Sequence, residues 1–209
     1  MRRLAILGAS GHGKVIADIA ELCGWHEVIF FDDAWPTVSF NGHWDVVGNS
    51  EMLLSQLSEF SGVIVAIGDN QIRGAKILWL TEHKAPLVSL LHPSAVISRY
   101  ADIGAGSVIM AGVVINVDTV VGTGAILNTG CTIDHECVLG NSVHVSPGAC
   151  LAGGVTVGDG SWVGIGTVVR QLITIGKRVM VGAGAVVVCD VPDDVTVVGV
   201  PARATSDAC

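Results

Sequence analysis

The sequence predicts two joined architectures: an α/β unit of Rossmann character over residues 1–90, then a parallel β-helix over residues 91–209. Three observations carry this. From Ile97, every sixth residue is a branched aliphatic, through Ile103, Ile109 and Ile115 to Val181 and Val187, with no slip in phase. The chain ahead of that ladder alternates short aliphatic runs with helical patterns. The full sequence contains 27 Gly but one Tyr and four Phe, which suits stacked Val and Ile with tight corners.

A period of six fits neither the 3.6 of a helix nor strand alternation. It fits hexapeptide coils in which the aliphatic points into a column and each coil is buried by the next. The residue after each aliphatic is often Gly, Asn or Asp, as at Gly104, Asn116, Gly122 and Asp134, and is expected to help the backbone turn, in part with φ > 0. The position four after is small or β-branched, as at Ala101, Ser107, Thr119 and Ala125.

In the first ninety residues, 2–7 read as a buried strand and Gly8–Lys14 as a glycine loop. A helix follows from about Lys14 to Cys23, with Val15, Ile16, Ile19, Ala20 and Leu22 on its apolar side. Val28–Phe31 is the next strand, ending on Asp32 and Asp33. Residues 34–50 read as an irregular insert, 51–60 as a helix, 63–67 as a third strand, 70–83 as a helix and 87–90 as a last short strand. Strand, helix, strand, helix, strand makes a small parallel α/β unit.

Length allows one large domain or two small ones, and half of the 209 residues are hydrophobic. A formal net charge of −8 supplies no basic stripe to neutralise phosphates, which argues against a nucleic-acid surface. The six cysteines form no CxxC pair. Cys131 and Cys137 fall on the small-residue column and read as packed free thiols. The N-terminus reaches glycines too soon for a signal peptide, and no apolar run is long enough for a membrane span. The expected compartment is a reduced cytoplasm.

Two places carry chemistry. In an open α/β sheet, ligands sit beyond the carboxyl ends of the strands, where Gly8–Lys14, Asp32-Asp33 and Gly68–Asn70 converge. Glycines before a helix let N–H groups approach a phosphate, and an acid at the next strand end can accept from a ribose or a base N–H. The glycines run GxxGxG rather than GxGxxG, so the loop is open between a nucleotide site and a plain tight turn. A redox cofactor does not fit so short a domain. In the ladder, only His135 and His144 are histidines, and His135 stands between Asp134 and Glu136. An imidazole with a free pKa of about 6.5 beside a carboxylate suits proton transfer at neutral pH. Residue chemistry alone leaves His135 open between a solvated surface group and a general base.

The segments SGHGKV, FFDD, AIGDNQIR, the run ILNTGCTIDHECVLGNSVHVSPGACLAGGVTVG and VVGVPAR, in that order, resemble the PglD/NeuD group of hexapeptide-repeat sugar acetyltransferases, over nearly the whole chain. The similarity is greatest to enzymes that acetylate the 4-amine of a UDP-4-amino-4,6-dideoxy-N-acetylhexosamine in the bacillosamine pathway. The resemblance implies a left-handed β-helix, a homotrimer and active sites between subunits, with acetyl-CoA as co-substrate and no metal. It implies His135 as general base, oriented by Glu136 with or without Asp134, and Asn128 positioning the reacting groups. It places His144, Gly153, Ile165, Gly182 and Arg203 along acetyl-CoA. It assigns Ser10, Gly11, His12, Gly13, Lys14, Asp32, Asp33, Asp69, Asn70 and Arg73 to the UDP part. Rival acceptors are a sialic acid hydroxyl and a GDP-linked 4-amino sugar such as perosamine. A non-catalytic trimeric scaffold stands further off. The three-histidine zinc site of carbonic anhydrases of this fold is not supplied by two histidines nine residues apart.

Overall fold

The computed structural model describes residues 2–205, and the chain divides into two compact units after Pro93. The first is built on β1 (Arg3–Leu7), α1 (Gly11–Leu22), β2 (Glu27–Phe31), β3 (Phe40–Asn41), β4 (Trp44–Gly48), α2 (Ser50–Ser55), β5 (Gly62–Val65) and α3 (Asn70–Glu82). The strands lie in the order β3-β4-β2-β1-β5, parallel except for the β3–β4 hairpin. Ala5, Leu7, Phe31, Val63 and Val65 form one buried face against Leu53, Ile77 and Leu80 of the helices. Near-continuous aliphatic strands are the pattern of a parallel sheet covered on both sides.

Several expectations shift. The first helix begins at Gly11 rather than Lys14, with Ser10 as its N-cap. Val15 and Leu22 stay exposed while Ile16, Ile19 and Ala20 face the sheet. The insert is not wholly irregular: Val46 and Gly48 alternate inward and add β4 beside β2. Trp35, Pro36 and Gly42 are turn signals that mask so short a strand. The helix read at 51–60 ends at Ser55 and continues as a 3₁₀ turn over Leu57–Glu59. The strand expected at 87–90 is reduced to one bridge from Leu87 to Val63, followed by a separate pair, Leu90–Leu91.

The second unit is a left-handed parallel β-helix of 18-residue coils. Two-residue strands stack into three parallel faces. The first face carries Ile126–Leu127, His144–Val145, Trp162–Val163 and Met180–Val181. The second carries Val114–Ile115, Thr132–Ile133 and Cys150–Leu151, and the third Val120–Val121, Val138–Leu139 and Thr156–Val157. The second residue of each pair points inward, so Ile115, Ile133 and Leu151 stack in register, as do Leu127, Val145 and Val163. The small column is buried as expected, with Ser107, Thr119, Cys131, Cys137 and Ala149 at zero exposure. Cys131 and Cys137 are free thiols, and burial pushes the Cys131 thiol up to about 12. Cys209 lies outside the described residues.

The turn chemistry differs from expectation. From Ile103 to Val181, positive φ falls three residues after each aliphatic, at Gly106, Gly112, Gly124 and their equivalents, and not one after. The glycine one after the aliphatic answers a steric demand instead. A Cβ on Gly122 would stand 2.6 Å from the backbone carbon of Gly140, one coil on. Among the described residues of this unit, Asp118, Glu136, Ser142, Leu172, Arg178 and Asp194 take the left-handed corner without being glycine, and Glu136 adjoins His135. Past the ladder, Thr196–Val198 joins the first face and Arg203–Ala204 pairs back on it antiparallel.

Candidate functional site

His135 occupies the corner between the second and third faces, in the turn from Thr132–Ile133 to Val138–Leu139. That corner lets neighbouring residues share a side, which a straight strand forbids. The His135 Nδ1 lies 3.0 Å from the Glu136 Oε2, with both side chains exposed to solvent. Glu136 reaches it from a left-handed backbone at φ 59°. Asp134 does a different job. Its Oδ1 accepts the His135 main-chain N–H at 2.8 Å and the Asn116 side-chain amide at 2.9 Å. Those two donors hold its carboxyl below the usual aspartate range, the His135 N–H first. So Glu136 orients the ring, and Asp134 with Asn116 shapes the turn that presents it. A carboxylate on Nδ1 leaves Nε2 as the nitrogen that can take a proton.

A left-handed backbone costs a non-glycine residue about 1–2 kcal/mol, and Glu136 accepts that at the position where glycine is the norm. Glu136→Gly is therefore expected to leave stability unchanged or raise it by up to about 1 kcal/mol, because relief of strain is partly offset by the freer unfolded chain. The same substitution is expected to lower turnover about tenfold or more, since the imidazole loses its orienting carboxylate. Urea unfolding beside steady-state kinetics checks both; a clear loss of stability with intact turnover would refute this account of Glu136.

Gly153, expected along acetyl-CoA, lies under the His135 ring. A Cβ there would stand 2.6 Å from both Cε1 and Nε2. Arg203 lines a 190 Å³ depression with Cys189, Pro192 and Ala202. The remaining acetyl-CoA candidates converge. His144, Ile165 and Gly182 line a 430 Å³ cleft on the first face together with Asn128, Trp162 and Met180. The Asn128 Nδ2 lies 3.3 Å from the His144 Nε2, and His144 is buried with its ring 4.3 Å from that of Trp162, tilted by 32°. The Trp162 Nε1 donates to the Ser146 Oγ at 2.7 Å, which fixes the indole that fixes the imidazole. Sequence reasoning missed Trp162 and Met180. They stand 18 and 36 residues beyond His144 on its own strand register, and that register was the available signal. Within one chain, the first face lies opposite the His135 corner. The coil thus separates His135 and Glu136 from Asn128 and His144.

In the first unit, a 230 Å³ depression opens at the carboxyl ends of β1, β2 and β5. Of the predicted residues, Ser10, Asp32 and Asp33 line it. The three loop glycines have different reasons. A Cβ on Gly8 would meet the Ala66 carbonyl at 2.9 Å, and one on Gly13 the Gly8 carbonyl at 2.5 Å. One on Gly11 would meet open space at the helix start. Asp32 ties the loop to the strand end, accepting from the Ala9 N–H at 2.7 Å and the Ala34 N–H at 2.9 Å. Asp33 accepts from the Ser50 N–H at 2.9 Å and from Lys76 at 2.7 Å.

The other candidates build the loops rather than line the depression. Asp69 caps α3 through the N–H groups of Gln71 and Ile72. Asn70 and Arg73 are buried, and the Arg73 guanidinium donates to the carbonyls of Ile67 and Gly68 and to the Asn70 Oδ1. His12 turns its Nε2 inward without a hydrogen-bond partner; burial first, and the Arg73 charge second, push its imidazole down to about 4. Lys14 lies against Gly42 in the β3–β4 turn. Ile72 and Lys76 do line the depression and were missed. Their signal was helical spacing, three and seven residues on from the Asp69 cap.

Among the described residues there is no helix long and apolar enough to cross a membrane, and no group of three or more His, Cys, Asp or Glu arranged to hold a metal ion.

Comparison with known proteins bears on this arrangement. The PglD N-terminal domain family matches residues 3–78. UDP-N-acetylbacillosamine N-acetyltransferase of Bacillus subtilis (strain 168) is 37% identical over 114 residues, 53% of this chain and 52% of the relative, so the chain is matched to about half the length of that curated relative. The acetyltransferase domain of PglB from Neisseria gonorrhoeae FA1090, solved with acetyl coenzyme A, superposes with a TM-score of 0.94 at 42% identity, covering 98% of this chain and 99% of that one. PerB from Caulobacter crescentus, solved with CoA and GDP-perosamine, gives 0.92 at 40% identity, covering 99% and 98%.

Proposed function

Because the chain belongs to the PglD/NeuD-type family of hexapeptide-repeat sugar acetyltransferases, we propose that it transfers acetyl from acetyl-CoA to the amine of a nucleotide-linked amino sugar. The acceptor is the 4-amine of a UDP-4-amino-4,6-dideoxy-N-acetylhexosamine, and the product a UDP-N,N'-diacetylbacillosamine for bacterial glycan synthesis. The observation that carries this is the His135 ring held through Nδ1 by Glu136 at 3.0 Å, with Nε2 on the open side against a glycine.

The neutral amine attacks the thioester carbonyl, and His135 Nε2 takes the amine proton as the N–C bond forms. Glu136 stabilises the resulting imidazolium. The tetrahedral oxyanion collapses, the C–S bond breaks, and the imidazolium returns its proton to the departing CoA thiolate. No acyl-enzyme and no metal enter; positioning supplies much of the rate. Asn128 and His144 hold the acetyl end of acetyl-CoA in the 430 Å³ cleft. A homotrimer with intersubunit sites is supported by the separation of that cleft from His135 within one coil, since a neighbouring copy is needed to bring them together. Acetyl-CoA supply and free buried thiols favour the cytoplasm.

The live second reading is a GDP-linked 4-amino sugar, favoured by the 40% identity to a protein solved with GDP-perosamine. Thiol release from acetyl-CoA, measured with the UDP-amino sugar, GDP-perosamine and free sialic acid side by side, separates them. Turnover of the UDP sugar alone is expected. Turnover of GDP-perosamine alone would replace the nucleotide; silence with all three would discard the enzymatic reading.

A further inference from the structure

We propose that Thr119, a buried hydroxyl one coil before the His135 turn, is a positioning residue for the acetyl transfer, fixing the peptide that carries the imidazole. This rests on the acetyltransferase reading above.

Thr119 belongs to the column of small residues inside the corner that bears His135. Read at coil intervals, that column holds Ala101, Thr119, Cys137, Val155 and Ile173. Of these five, Thr119 and Cys137 carry a side-chain donor, and both are at 0% exposure. The Thr119 Oγ1 donates to the Asp134 carbonyl at 2.9 Å, and the Cys137 Sγ to the Ala152 carbonyl at 3.3 Å. Asp134 precedes His135, and Ala152 precedes Gly153, the glycine against which the ring lies. The column is therefore polar at the two rungs between which the imidazole sits, and apolar at the others named.

The Thr119 bond does something that the ordinary rungs of the coil do not. Those rungs run between main chains: the Asp134 N–H to the Leu151 carbonyl at 3.0 Å, and the Glu136 N–H to the Val117 carbonyl at 3.0 Å. The peptide unit between Asp134 and His135 is held from two side chains instead. Its carbonyl accepts from Thr119, and its N–H donates to the Asp134 Oδ1 at 2.8 Å. A planar peptide turns only about its two flanking soft bonds. Pinned at both its carbonyl and its N–H, this one cannot swing the His135 Cα. The ring itself is exposed and gains its aim from the backbone beneath it and from Glu136. Reacting groups held within about 0.5 Å need such support behind them.

The test is steady-state acetyl transfer by the full chain, with the UDP-amino sugar and GDP-perosamine as acceptors and a melting curve for each variant. Val155 and Ala101 occupy the same column, so Thr119→Val and Thr119→Ala both suit the coil. Either is expected to lower kcat about tenfold with KM for both substrates moved less than about twofold, because a fraction of an ångström at the reacting nitrogen acts on the transition state. Thr119→Ser loses a buried methyl and should melt lower, yet it keeps the hydroxyl and is expected to retain kcat within about twofold. The control is Ser107→Ala, since Ser107 makes the same kind of bond, to the Gly122 carbonyl at 3.1 Å, away from His135. It should lose stability and leave kcat unchanged. Wild-type kcat in folded Thr119→Val and Thr119→Ala would overturn the proposal. So would a Thr119→Ser as slow as Thr119→Val, or an equal loss of kcat in Ser107→Ala. Silence of the wild type with both sugars would instead remove the transferase reading beneath it.

Discussion

His135→Ala is expected to lower kcat by roughly 10²–10⁴-fold, the usual contribution of a positioned general base. KM for both substrates should move little, because the ring acts on a proton in transit rather than on ground-state binding. A loss under tenfold would remove His135 from the role. The same variant tests where the rest of the site comes from. His135 and His144 lie on opposite sides of one coil, so a site that uses both draws on two chains. Co-expressing His135→Ala chains with His144→Ala chains should then restore about a quarter of the wild-type activity, since each mixed trimer assembles one intact interface. No recovery above the single variants would count against intersubunit sites.

Gly153→Ala is the second large effect, and the less obvious one. The new Cβ would lie 2.6 Å from the His135 Cε1 and Nε2. The obstacle is the end of an exposed side chain, so the ring moves and the coil does not. A displacement near 1 Å at the reacting nitrogen costs about 10²-fold in rate. The expected result is a normal melting curve, an almost unchanged KM for acetyl-CoA and a kcat about two orders of magnitude lower. If Gly153 instead lined the acetyl-CoA channel, KM for acetyl-CoA would rise with kcat largely intact, and the link to His135 would be discarded.

Much of the fold was legible because it is periodic. The aliphatic at every sixth position, the buried small column and the parallel strands at β1, β2 and β5 all express patterns that recur along the chain. The site was legible in part. The His135–Glu136 pair is local, and the family motif marks it. The sequence did not separate Glu136 from Asp134, because both adjoin His135. The distinction rests on which carboxylate the corner turns toward the ring. Nor could it show that Gly153, eighteen residues from His135, lies against the imidazole.

By itself, then, the sequence determined the hexapeptide coil, its stacking register, the hydrophobic column and the α/β unit ahead of it, because backbone period and side-chain apolarity are local properties. The tertiary structure decided what the glycines are for, which lysine lines the depression at the strand ends, that Arg73 holds the loop carbonyls of Ile67 and Gly68 and that Trp162 packs on His144. Each is a contact between residues whose proximity exists only once the coils have stacked and the strands have paired. Packing selects those contacts by excluded volume and hydrogen-bond geometry, which a linear pattern does not encode.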